Sequence, residues 1–388
     1  MILTIMRFGC SYAAIGRSAL KDNGGRKLLA VCRRLPTLTQ TPLSPRIFAV
    51  LLSCCSLKGG FVKRDFNQND WGPIHVDDLK RLMEIAISED FGKLGDLTSQ
   101  ALIPSGMRGR ASFYARKEGV IAGLVAVPTC ISLIDPELQW FSCCQEGELV
   151  EKNTKIGEFV GPVLSMMTAE RLLLNLLGHL CGVATLTRQF VKQVERTGAK
   201  IYDTRKTTPG WRRLEKYAVR CGGGMNHRTG LFDAVLIKDN HLAFGSLPGH
   251  VLDSDHSEEK KESCVKHRSD LFSPGEAVCR AKAYLRQLHV FPNNHLPLVE
   301  IEIDTLDHFE DVLAAKPDIV LLDNMTPKLM RKAVLARNRL KSPVELEASG
   351  GITLDTVREV AETGVERISV GSLTHSNSSL DIGMDWEG

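Results

Sequence analysis

A chain of 388 residues, 43% hydrophobic and 24% charged, is long enough for two domains and ordinary in composition for a soluble globular protein. No apolar run approaches the roughly 20 residues that a bilayer-crossing helix needs. The net charge of +3 hides an uneven distribution: residues 1–62 hold nine lysines and arginines against Asp22 alone, which leaves 40 basic and 45 acidic residues in the remainder. A mildly acidic body offers no global reason to bind nucleic acid, so a basic cluster elsewhere in it is a local device.

Residues 1–62 contain one short apolar run, Ile47–Cys55, in a basic, acid-poor context. A targeting segment can look like this, but the run lies too far from the start for an ordinary secretory signal. The segment is expected to be a disordered extension. The first periodic element is HVDDLKRLMEIAISEDFG, where Leu79, Leu82, Met83 and Ala86 recur at helical spacing. RGRASFYARKEGVIAGLVAV and GELVEKNTKIGEFVGPVLSM follow as β-prone runs separated by turn residues. TAERLLLNLLGHLCGVATLTRQFVKQV then predicts a long connecting helix, with Thr168 as its N-cap.

From Lys200 the rhythm changes. KIYDTR, AVLIKD, LVEIEID, DIVLLDN, VELEASGG and RISVG read as strands, and amphipathic helices separate most of them. Such β-α repetition predicts a parallel sheet, and six successive units favour a barrel over an open doubly wound sheet. The tract from Gly245 to Phe272 is too long and polar for an ordinary loop and reads as a flexible excursion; its Cys264 and His267 make a weak metal pair. Eleven cysteines with no C-x-x-C fit neither a disulfide framework nor a zinc site, so they read as reduced thiols in a cytoplasmic setting.

Each predicted strand ends in polar residues or glycine, where β/α barrels build their sites. Ser349, Gly350 and Gly351 end one strand and Gly371 and Ser372 the next, a pattern that suits phosphate. Glu302 and Asp323 end successive strands, where they can hold Mg²⁺, bind sugar hydroxyls or act as acid and base. Arg205, Lys206, Arg228 and Lys238, joined by Arg171 from the connecting helix, supply positive charge for a multiply anionic small molecule. His227 precedes Arg228 and is either a core histidine, a loop cap or a ligand contact. Arg212, Arg213 and Lys216 read as a solvated helix face.

The motifs DTRKTTPG, GGGMNHR, LIKDNH, EIE with a later LLDN, EASGGI and SVGSLT, in this order, resemble the quinolinate phosphoribosyltransferases from about Ile74 to the C-terminus. The resemblance implies a type II phosphoribosyltransferase: an N-terminal α/β sandwich domain plus an incomplete α/β (TIM-like) barrel. It divides the chain into an extension (1–62), a sandwich domain with connector helix (63–183), a barrel (184–372, with the insertion 245–272) and a tail returning to the first domain (373–388). It further implies a reaction between quinolinate and phosphoribosyl pyrophosphate, with Mg²⁺, in a homodimer or an oligomer of dimers with shared active sites. Transferred position by position, Arg171 reaches quinolinate from the partner chain, and Thr204, Arg205, His227 and Arg228 line its pocket. Lys206 and Lys238 face the reacting junction, Glu302 and Asp323 serve ribose and Mg²⁺, and Ser349, Gly350, Gly351, Gly371 and Ser372 hold the 5′-phosphate. Cys181 departs from the serine expected in LCGVAT. The alternatives are a molybdenum-transport-associated paralogue of the same fold, a phosphate-binding barrel lyase or isomerase, and an inactive binding protein.

Overall fold

Strand alternation and helical periodicity from Arg64 onward resolve into two layers, one antiparallel and one parallel. The structure, a computed structural model, describes residues 64–245, 273–288, 290 and 296–387. The expected extension at 1–62 and the insertion beyond Gly245, with Cys264 and His267, lie outside the described residues.

The first layer begins with α1 (Pro73–Phe91), two residues before the predicted start, because Pro73 suits the first helical turn. Leu79 and Met83 are its buried face. Next come α2 (Leu97–Leu102), β1 (Arg108–Ala115), β2 (Gly119–Val120), α3 (Val127–Ile134), β3 (Gln139–Ser142), β4 (Leu149–Val150) and β5 (Lys155–Pro162). β1 pairs with β5, and β5 with β3; the far edge of β1 is taken by the chain's last strand, Ile382–Trp386. Phe113 of β1 packs edge-on against Trp140 and Phe159, with centroids 5.2 and 6.1 Å away.

Helix α4 (Val163–Val194) starts five residues before the expected Thr168 cap. Pro162 occupies the cap position, and Thr168 sits in the second turn, where its hydroxyl donates to the Leu164 carbonyl at 2.8 Å. The reason is continuity: the strand ends at Pro162 and VLSMM turns helical at once, as an apolar run of that length can. Half of the 32 residues of α4 are buried, because it packs against both layers. Residues 378–380 cross it at Gly178 and Gly182. A Cβ at Gly182 would meet the Ser378 carbonyl oxygen at 2.2 Å, so only glycine admits the crossing. Cys181 exchanges contacts of 3.2 and 3.3 Å with the backbone N and O of Ala122, and burial pushes its thiol up to about 12.

The second layer contains β6 (Lys200–Tyr202), α5 (Arg212–Cys221), β7 (Ala234–Ile237), α6 (Asp239–Gly245), α7 (Pro274–Gln287), β8 (Leu298–Ile303), α8 (Phe309–Ala315), β9 (Ile319–Asp323), α9 (Pro327–Arg339), β10 (Glu345–Ser349), α10 (Val357–Ala361), β11 (Arg367–Ser369) and α11 (Ser372–His375), before the chain returns as β12 (Ile382–Trp386). All six strand segments read from the sequence are strands. They form one parallel sheet in the order β6-β11-β10-β9-β8-β7, a barrel left open between β6 and β7 among the described residues. The glycine-rich segment enters that opening. Met225 N–H donates to the Ile201 carbonyl (2.8 Å) and Asp203 N–H to the Met225 carbonyl (3.1 Å), so residues 225–228 run beside β6 as a short stave.

The lower end of the barrel is closed by residues 65–69. Phe66 is buried among Tyr202, Ala234, Leu298 and Ile319. Asp65 takes two bonds of 3.0 Å from Arg367 and one of 2.9 Å from the Tyr202 hydroxyl. Gln68 accepts from Asn226 N–H at 2.8 Å and donates to its carbonyl at 3.2 Å, as a neighbouring strand would. A chain shortened to begin at Phe61 keeps this plug and is expected to melt with the full chain. One beginning at Trp71 loses it; burial of Phe66 alone contributes about 2–3 kcal/mol, and a melting temperature roughly 5–10 °C lower is expected. Calorimetry of the two shortened chains checks this, and equal melting temperatures would make the plug dispensable.

Candidate active site

Side chains on a strand alternate between faces, so every second residue of a barrel strand points inward. Thr204 and Lys206 follow β6, Lys238 follows β7, Glu302 and Asp323 lie at the ends of β8 and β9, and Ser349 ends β10. Together with Arg205, His227, Arg228, Gly350, Gly351, Gly371 and Ser372 they line one cavity of about 1160 Å³. Arg171 does not. It is exposed on α4 and faces a separate hollow of about 270 Å³ beside Leu82, Asn175 and Trp211.

The glycine turns are shaped for close approach. Gly350 and Gly351 have φ of 95° and 61°, and a Cβ on Gly350 would meet Asn324 Oδ1 at 2.2 Å. Successive backbone N–H groups in such a turn form an anion-binding concavity. In the same cavity, Arg228 is buried and donates to the Ala234 carbonyl at 3.1 Å. Burial first, and then the neighbouring charge of Arg205, hold its guanidinium below the usual range. Among the described residues, the buried Nε of Arg205 has no hydrogen-bond acceptor. Two crowded guanidinium groups, one with an idle donor, are suited to an anion carrying more than one negative charge.

Lys238 Nζ forms an ion pair with the Glu302 carboxylate. Asp323 accepts from its neighbour Asn324 at 2.7 Å. The two carboxylates, on adjacent strands and facing the cavity, are hard oxygen donors of the kind Mg²⁺ prefers.

Part of the cavity wall belongs to a buried layer. His227 Nδ1 accepts from Arg228 N–H at 2.8 Å, so the ring proton resides on Nε2, which stands 2.9 Å from Glu300 and 3.6 Å from Glu347. The ring packs on Phe66, with centroids 4.2 Å apart. Burial pushes His227 down to about 4 and Glu300 up to about 7, and it raises Glu347 too. Neither approach of His227 Nε2 is aligned as a hydrogen bond, and among the described residues both Glu300 oxygens and Glu347 Oε1 accept none. These three side chains bring possible metal-ligand atoms within 4.8 Å of one another. Arg367, however, already pairs with Glu347 at 3.0 Å, and Arg228 offsets the charge of Glu300.

One sequence expectation fails here. Arg212, Arg213 and Lys216 are not a solvated face. Lys216 is fully buried and paired with buried Asp203. Arg213 bonds Asp78 at 2.5 Å, and Arg212 bonds Thr207 at 3.0 Å. Helix α5 lies between α4 and α1, so little of it is left to solvent. Besides Lys216, which was misread, the residues overlooked by sequence reasoning are Asp203, Glu300, Glu347 and Arg367. Alternation was the available signal for two of them: Glu300 shares a face with Glu302, and Glu347 with Ser349.

The chain is similar to known proteins over most of its length. The family model described as quinolinate phosphoribosyl transferase, C-terminal domain, matches residues 183–265 and 276–385, and its N-terminal counterpart matches residues 96–181. A Bacillus subtilis protein named "probable nicotinate-nucleotide pyrophosphorylase (carboxylating)" is 38% identical over 79% of this chain and 93% of its own length. A Nicotiana tabacum protein named "quinolinate phosphoribosyltransferase (decarboxylating) 2b, mitochondrial" is 37% identical over 79% of this chain and 82% of its own. The solved nicotinate-nucleotide pyrophosphorylase from Francisella tularensis superposes with a TM-score of 0.69 at 33% identity, covering 83% of this chain and all of that one.

The His227 environment has a direct readout. Because burial disfavours the charged ring, imidazole ¹⁵N signals are expected to stay in the neutral Nε2–H form from pH 8 down to about pH 5, with protonation centred on about 4. A midpoint near the ordinary 6.5 would mean that the ring is solvated.

Proposed function

The chain belongs to the quinolinate phosphoribosyltransferase family, and from that premise we propose how its cavity divides the reaction among its residues. The enzyme transfers the phosphoribosyl group of phosphoribosyl pyrophosphate to quinolinate with decarboxylation, giving nicotinate mononucleotide, pyrophosphate and carbon dioxide in NAD biosynthesis. The family leaves no need for the lyase or isomerase alternative, and nothing favours the molybdenum-transport one. The observation that carries the assignment of residues is the pair of crowded arginines, Arg205 and Arg228, in one cavity with a glycine-lined anion cradle.

Quinolinate has adjacent carboxylates, and Arg205 and Arg228 bind them, with neutral His227 beside them. Thr204 borders the same end of the cavity. Gly350, Gly351, Gly371 and the hydroxyls of Ser349 and Ser372 take the 5′-phosphate. The pyridine nitrogen is already a nucleophile, so no activating base is required. Held between these two ends, it faces the ribose C1 and forms the N–C bond as the bond to pyrophosphate breaks. Lys206 and Lys238 neutralise charge at that junction, and Glu302 supports the developing oxocarbenium. Glu302 and Asp323 would hold Mg²⁺, which when bound supplies further positive charge to the departing pyrophosphate. Loss of the 2-carboxylate as CO₂ then leaves an electron pair beside the cationic ring nitrogen, and a proton takes its place.

Among the described residues no helix is long and apolar enough to cross a membrane. The free thiols of Cys130, Cys181 and Cys221 support a cytoplasmic location. Arg171 supports a dimer: it is exposed and outside its own cavity, where a two-fold partner could receive it.

The assay is release of nicotinate mononucleotide and CO₂ from quinolinate and phosphoribosyl pyrophosphate, abolished by chelating Mg²⁺. In it, Arg205→Lys is expected to stay folded and lose activity about 100-fold, because lysine keeps the charge but not the planar fork. Near-normal kinetics would remove Arg205 from the carboxylate clamp. Arg171→Ala and Arg228→Ala are each expected to be nearly inactive. Mixing and reassorting the two yields heterodimers with one intact site, and about a quarter of wild-type activity should return. Heterodimers seen by mass spectrometry without recovered activity would place Arg171 outside the shared site.

A further inference from the structure

The stave carrying His227 and Arg228 is gripped from behind by an ion pair that does not line the cavity. Asp203 and Lys216 are both fully buried and paired. Asp203 Oδ1 accepts from His227 N–H at 2.8 Å, and Lys216 Nζ donates to the His227 carbonyl at 2.9 Å. Asp203 Oδ2 accepts from the Asn226 side chain at 2.7 Å, and the same amide donates to the Lys216 carbonyl at 2.9 Å. The peptide groups on both sides of His227 are therefore held by one carboxylate and one ammonium. That carboxylate also stands two residues before Arg205, at the end of β6.

A buried ion pair is a poor device for stability alone, since well-packed apolar residues of similar size are often as stable or more so. What this pair does, and an apolar pair cannot, is fix the backbone at His227 relative to the strand that presents Arg205. We propose that Asp203 and Lys216 are positioning residues that set the spacing and aim of Arg205 and Arg228, and so tune the site to two adjacent carboxylates. The inference rests on the assignment of these arginines to quinolinate.

Calorimetry of quinolinate binding to the wild-type enzyme comes first. No binding would overturn that assignment and the proposal with it, whereas wild-type binding leaves the proposal to the variants. Lys216→Met keeps the length of the side chain and removes its grip. In folded protein it is expected to raise the KM for quinolinate at least about tenfold, with kcat and the KM for phosphoribosyl pyrophosphate within about threefold of wild type. A merely structural role would move both KM values together or neither, and either result overturns the proposal. Should the lone Asp203 charge prevent folding, the double variant Asp203→Asn/Lys216→Met leaves no unpaired charge and is expected to fold and show the same selective rise. If the double variant also fails to fold, the pair is a requirement of the fold and the proposal is wrong.

Discussion

A guanidinium group inside a barrel dictates what surrounds it. Arg367 is 1% exposed at the base of β11, and taking such a charge out of water costs several kcal/mol unless partners meet it. Glu345, Glu347 and Asp65 do so at 2.9 to 3.0 Å, and the Tyr202 and Phe66 rings lie 3.8 and 4.9 Å from the guanidinium carbon. Two of these five partners come from the segment that precedes α1. The plug is therefore a response to the buried cation. In turn it brings Phe66 under His227 and Gln68 against Asn226, so the base of the barrel positions the stave that completes its upper part.

Above this base the electrostatics change character. In the middle layer, acids outnumber their hydrogen-bond donors, and protons share the role of neutralising them: Glu300 sits raised and His227 remains a neutral ring. At the top the imbalance reverses, with Arg228 and Arg205 close together and an Arg205 donor idle. A low-polarity surround strengthens each of these charges toward whatever enters. Among the described residues the cavity thus carries unmet hydrogen bonding at its cationic end, an arrangement suited to an anion.

Much of this was legible in the sequence, and the reason is geometric. Barrel strands place functional residues at their carboxyl ends, so Glu302, Asp323 and Ser349 could be read from where each β-prone run stopped. The turn after β10 announces itself because Gly350 must be glycine at φ 95°. The buried layer was not legible in the same way. Lys216 lies among Arg212, Arg213 and Glu215, and local charge density describes solvent unless another helix covers it; α1 and α4 do. Thr168 has the chemistry of a helix cap, yet its hydroxyl found the Leu164 carbonyl because the helix had already begun. Both misreadings concern long-range packing, which local pattern does not encode. Arg171 marks the same limit at a larger scale, since within its own chain it lies outside the cavity that the other expected residues line.

The pairing of β1 with β12 has a consequence for how the molecule is made. β1 precedes the barrel in the chain, and among the described residues its outer edge is covered by Ile382–Trp386, which follow the barrel. Throughout translation of the barrel, the antiparallel layer therefore presents an open strand edge to its surroundings. Such edges invite pairing with other chains, and exposed charge is the usual guard. Arg108 and Arg110 provide it, half-exposed on β1 and bridged to Glu137 and Glu158 at 2.7 and 2.6 Å. A message truncated just before β12 would encode every residue lining the cavity and still yield a protein with its first sheet unfinished. The first sheet is thus finished only by a strand that follows the whole barrel in the chain.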